Sequence, residues 1–165
     1  MVIESFIREM KQRSLEALMQ VAGGGELETK SYTFEAGQAE LSTVRGSAVE
    51  KAAIAHMDLR GTPMPGTGER FDSTVYQMEI FPANSRCPMG HFNTEWSVVA
   101  GRTTYNMNLD LFPAVAVEEE LGEVKAQMGA VAKRYGRDAN TSRDGLEAQY
   151  HMPHWQKPLT ARAGL

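Results

Sequence analysis

The chain has one cysteine, Cys87, which excludes an internal disulfide and a zinc site built from cysteines. A reducing, cytoplasmic setting is therefore expected. It lacks any apolar run close to the roughly 20 residues that a membrane helix needs. Its start, MVIESFIREMKQRSLEAL, carries acids and no uncharged apolar stretch, so neither a signal peptide nor a membrane association is expected. Basic residues are in deficit: 17 Lys and Arg against 21 Asp and Glu give a net charge of −4, which argues against a broad nucleic-acid-binding face. Gly23–Gly24–Gly25 is not a phosphate loop, because no strand precedes it and no Gly-Lys-Ser/Thr follows. No internal repeat or low-complexity tract is visible. The 165 residues, 42% hydrophobic and 23% charged, suit one globular domain with a sizeable core.

Residues 1–25 read as an N-terminal helical segment. Ile3, Ile7, Met10, Leu18 and Val21 fall near one stripe over 2–22, and the glycine triplet ends it. Residues 30–112 read as an antiparallel sheet. Short strands are expected at 30–34 and 39–44, then longer ones at 52–59, 74–81, 91–99 and 102–111, with turn formers between them. The Ala100–Gly101 link implies a hairpin. Residues 115–150 read as helical. Over 115–135, Val117, Leu121, Val124, Met128, Val131 and Tyr135 recur at helical spacing, with Glu118–Glu120 at the start and Lys133 and Arg134 at the end, as the helix dipole prefers. A shorter helix is expected over about 142–150, and 151–165 reads as an irregular tail. The expected fold is α+β: a compact, single-domain central antiparallel sheet flanked by helices.

Alternation within the strands gives each a polar face. The polar sides carry His56 and Asp58; Gln77 and Glu79; His91, Asn93 and Glu95; and Thr104, Asn106, Asn108 and Asp110. A solvated sheet face is the plain reading. Histidines, carboxylates and asparagines with almost no lysine suit a ligand-lined concavity instead. Imidazole beside carboxylate is material for general acid–base catalysis or for a metal site of oxygen and nitrogen donors. His56, mid-strand, reads as a structural histidine, and His91, which heads a polar face, as a functional one. His151 and His154 lie in a proline-containing tail. Cys87 stands beside Arg86 with no base partner apparent.

Four pieces of the chain resemble oxygen-dependent coproporphyrinogen III oxidase, in that family's order. They are Gly46–Ser–Ala–Val49–Glu50–Lys51–Ala52; Ile80–Phe81–Pro82–Ala83–Asn84, with His91–Phe92–Asn93 beyond it; Asn108–Leu109–Asp110–Leu111–Phe112–Pro113 before an acidic helix start; and Tyr150–His151–Met152–Pro153–His154 followed by Arg162–Ala163–Gly164. The resemblance spans about residues 40–165. It implies a broad antiparallel sheet flanked by helices, a homodimer, no cofactor, and an oxidase acting on a tetrapyrrole-like or other small molecule. It also implies roles: His91 as acid/base, Asp110 as the essential carboxylate and Asn93 as a substrate contact, with His154 matching a late family histidine. Glu79, Glu95 and Asn108 would be neighbours in substrate binding. Phe81, Glu95 and Trp155 stand where the family has histidine, arginine and arginine, and Lys125 falls near another family histidine. Glu95 is a charge reversal.

Two other readings stay open from the residues. In one, His91, Glu79 and Asp110 hold a divalent transition metal (Fe, Cu or Mn), with His56, His151 or His154 as a further donor, in a metal-dependent oxidase or oxygenase. In the other, the sheet is a non-catalytic platform for a tetrapyrrole or another planar ligand, with a tail histidine or a methionine as a conceivable haem ligand.

Overall fold

A computed structural model describes residues 2–64, 66–115, 117–141, 144–145 and 162–164. The fold is α+β, an open antiparallel sheet with helices. Helix α1 spans Val2–Val21. Strands β1 (Glu26–Phe34), β2 (Gly37–Arg45), β3 (Val49–Pro63), β4 (Arg70–Pro82), β5 (Met89–Val99) and β6 (Arg102–Phe112) follow, then helix α2 (Glu118–Arg134) and a short strand β7 (Arg162–Gly164). The sheet order is sequential, β1 to β7, and every pairing is antiparallel. No described helix is long and apolar enough to cross a membrane.

Several boundaries differ from the sequence reading. The first two strands are longer than expected and begin directly after the glycine triplet. Residues 162–164 are not irregular: they pair with β6, Asp110 opposite Arg162 and Asn108 opposite Gly164. The helix expected over 142–150 falls almost wholly outside the described residues.

Both helices end as their glycines dictate. Gly23 and Gly24 take φ of 72° and 78°, and the Gly24 N–H donates to the Met19 carbonyl at 3.0 Å. At the end of α2, Gly136 takes φ 69° and the Arg137 N–H donates to the Ala132 carbonyl at 2.9 Å. These are left-handed caps that satisfy last-turn carbonyls.

Helix α1 covers one face of the sheet. Ile7, Leu18 and Ala22 from the helix, with Val44, Val49, Ala52, Ile54 and Tyr76 from β2–β4, form the core, flanked by Met78, Ile80 and Phe92. Val21, expected on the apolar stripe, is exposed; Met19 and Ala22 take up that side. Tyr76 is fully buried, donates its hydroxyl to Ser14 Oγ at 2.7 Å and meets the Phe92 ring edge-on. Gly46 lets the helix end sit on the β2–β3 turn: a Cβ there would lie 2.3 Å from the Ala22 carbonyl oxygen.

Candidate functional site on the open sheet face

The face opposite α1 carries the polar rows. Their alignment follows from the β5–β6 hairpin. Ala100 and Gly101 both take positive φ, 48° and 76°, as a two-residue turn with the strands' twist requires. That turn sets Val99 opposite Arg102 and, counting back, Asn93 opposite Asn108 and His91 opposite Asp110. On the other side of β5, Glu79 of β4 stands opposite His91 and Gln77 opposite Asn93. Two adjacent rows result: Glu79–His91–Asp110 and Gln77–Asn93–Asn108.

These six residues line one open pocket of about 510 Å3, walled by the apolar side chains of Phe81, Met89 and Phe112. His91 Nδ1 lies 3.0 Å from Asp110 Oδ2. A carboxylate can only accept, so in the neutral imidazole the proton sits on Nδ1 and Nε2 is the ring nitrogen with the lone pair. Asp110 is 1% exposed, whereas the His91 side chain keeps 22% of its surface. The pair is thus anchored at a buried carboxylate and open at the imidazole. Gln77 Nε2 donates to Glu79 Oε1 at 2.9 Å, which fixes the second carboxylate. The side-chain oxygens of Asn93 and Asn108 are buried without a hydrogen-bond partner. A buried acceptor left unmade costs about 1–3 kcal/mol.

Of the predicted site residues, Glu79, His91, Asn93, Asn108 and Asp110 converge. Glu95 lies on the same face but in a neighbouring pocket of about 450 Å3, with Met64, Phe71, Ser97 and Asn106. Its Oε1 accepts from Ser73 Oγ at 2.8 Å and from Ser97 Oγ, so its carboxylate is tied down away from His91. His154 and His151 lie outside the described residues.

His56 and Asp58 are not on this face. His56 pairs with Tyr76 and Asp58 with Thr74, so both stand on the α1-covered side. There Asp58 accepts from Thr74 Oγ1 at 2.8 Å and pairs with Arg60, while Glu40, opposite His56 on β2, pairs with Lys11 of α1. The four polar strand sides therefore do not form one face; three of them do.

Among the described residues, no group of three His, Cys, Asp or Glu side chains is arranged to hold a metal ion. Cys87 is exposed in the β4–β5 connection and is not among the residues lining this pocket. Phe81 and Phe112 lie within the quoted motifs, but alternation gave no sign that they and Met89 would wall the pocket. No protein-family model matches the chain.

Proposed function

We propose that the chain is a diverged coproporphyrinogen III oxidase-like oxidoreductase, acting on a tetrapyrrole-like or other small molecule held against the β4–β5–β6 face. The observation that carries this reading is the His91–Asp110 hydrogen bond, anchored by a buried carboxylate and open to a pocket of small-molecule size. The four-part resemblance supports the reaction type. Two of its pieces supply His91, Asn93 and Asp110, and the last of them, Arg162–Ala163–Gly164, runs beside Asp110 as β7.

The division of labour follows from the geometry. Asn93 and Asn108 line the pocket beside the His91–Asp110 pair and orient the bound molecule through their side-chain amides. Asp110 holds the imidazole in the Nδ1–H form and offsets the charge of the imidazolium that forms when Nε2 takes a proton. A C–H bond and an adjacent C–H or N–H bond of the substrate break as a new double bond forms between the two atoms, releasing two electrons and two protons. Dioxygen accepts both electrons and both protons and becomes hydrogen peroxide. His91 is the relay for a proton in that transfer. Phe81, Met89 and Phe112 shield the substrate's apolar surface from water.

The test is oxygen uptake by the purified chain with a panel of reduced tetrapyrroles, coproporphyrinogen III among them, and simpler N–H heterocycles. Uptake with at least one member, lost in His91→Ala while the fold is retained, is expected. Saturable binding of a tetrapyrrole with no oxygen uptake would replace the enzyme with a binding platform.

A further inference from the structure

We infer that β1 is the interface of a homodimer, in which the β1 strands of two copies pair antiparallel about a twofold axis at Thr29 and join the two sheets into one. Among the described residues, strand β1 is the outer edge of the sheet and pairs with β2 alone. All nine of its residues are exposed, and Leu27, Tyr32 and Phe34 present large apolar side chains to solvent. The pairing with β2 runs unbroken from Glu26 to Phe34, with no bulge and no proline. Proteins commonly blunt a free edge by shortening, bulging or covering it, or by placing charges on it. Among the described residues β1 is neither short, bulged nor covered, and its charges, Glu26, Glu28 and Lys30, are of both signs, so they can pair across a second copy instead of repelling it.

The charges on β1 choose the second copy and its register. Glu28 and Lys30 lie on the same side of the strand, and Lys30 Nζ sits 2.9 Å from Glu28 Oε1. A twofold axis through a residue of the strand keeps the outward-pointing backbone groups of both copies in phase. Centred on Lys30, it would set Lys30 against the partner's Lys30; centred on Glu28, it would set Glu28 against the partner's Glu28. Like charges directly opposite destabilise a sheet. Centred on Ser31, it would leave Lys30 facing the partner's Tyr32. Centred on Thr29, it sets Glu28 against the partner's Lys30 and Lys30 against the partner's Glu28. Thr29 then meets the partner's Thr29, and Leu27 the partner's Ser31. The axis runs through the sheet, so both His91 pockets open on the same face of the joined sheet.

The experiment is sedimentation velocity across a concentration series, on wild type and on Glu28→Lys, Lys30→Glu and the doubly exchanged variant, with circular dichroism as the folding control. Wild type is expected to dimerise. Each single exchange should weaken the dimer by about fourfold or more, since two cross-strand pairs turn from attractive to repulsive. The double exchange should restore it. Thr29→Cys, placed in a Cys87→Ser background, should cross-link two chains under mild oxidation, whereas Leu27→Cys alone should not. A wild type that stays monomeric throughout, a dimer indifferent to both single exchanges, or cross-linking by Leu27→Cys in place of Thr29→Cys would overturn the inference.

Discussion

Replacing Asp110 by asparagine tests whether the buried carboxylate works through His91. The substitution conserves volume, so it opens no cavity, and its cost is electrostatic. Hydrogen bonds to charged groups contribute about 1.5–3 kcal/mol. Asp110 is almost fully buried and the His91 side chain largely so, which places this pair in the upper part of that range, about 2–3 kcal/mol. For a chain of this length that is a fall of about 4–12 °C in Tm. The informative quantity is the coupling. In a cycle of Asp110→Asn, His91→Ala and the double variant, followed by urea unfolding, the double variant should be less destabilised than the sum of the singles by about 1–2 kcal/mol. In the oxygen-uptake assay each single should lose about 10²–10⁴-fold, and the double should be no slower than the worse single, because the two act as one unit. Imidazole 15N spectra of the neutral wild type should place the proton of His91 on Nδ1. Additive losses in the cycle, or a ring proton on Nε2, would refute the reasoning.

Three further outcomes follow from other parts of the molecule. Tyr76→Phe should cost about 1 kcal/mol at neutral pH through loss of the bond to Ser14. Burial holds the Tyr76 hydroxyl's pKa above its ordinary value, the bond to Ser14 only partly opposing it. Wild type should therefore keep this contribution below about pH 10 and lose it as pH rises through the raised pKa, a decline that pH-dependent urea melts should find smaller in the variant. Ala100→Asn should raise stability by up to about 1 kcal/mol in the same melts, because Ala100 sits at φ 48°, where asparagine is better tolerated. Elemental analysis of purified protein should give iron, copper and manganese well below one per chain; near-stoichiometric metal that disappears in His91→Ala would make the site a metal centre.

The convergence at His91 was largely legible in the sequence. Alternation assigned the faces of β4, β5 and β6, and the two-residue Ala100–Gly101 link fixes the pairing of His91 with Asp110 once its turn type is known. What alternation cannot supply is the phase between strands joined by longer loops. The β3–β4 connection is long, and the pairing shifts between Leu59 and Thr62, so nothing local sets whether His56 shares a face with Glu79. A shift of one residue exchanges the faces. His56 and Asp58 consequently stand on the α1 side of the sheet, beside Thr74, Arg60 and Tyr76. Glu95 was misplaced for a different reason. Its face was right, but only the structure reveals that Ser73 and Ser97 draw its carboxylate into the neighbouring pocket. Only the second half of β1, 30–34, was legible, because Glu26 and Glu28 interrupt the apolar residues before it.

The most direct test of the central claim is the ratio of hydrogen peroxide formed to oxygen consumed during turnover of an active panel member, in wild type and in His91→Ala, with a chelator present throughout. One peroxide per oxygen is expected in wild type, with the rate in the variant reduced by about 10²-fold or more. Turnover abolished by the chelator, or a variant as fast as wild type, would contradict that claim.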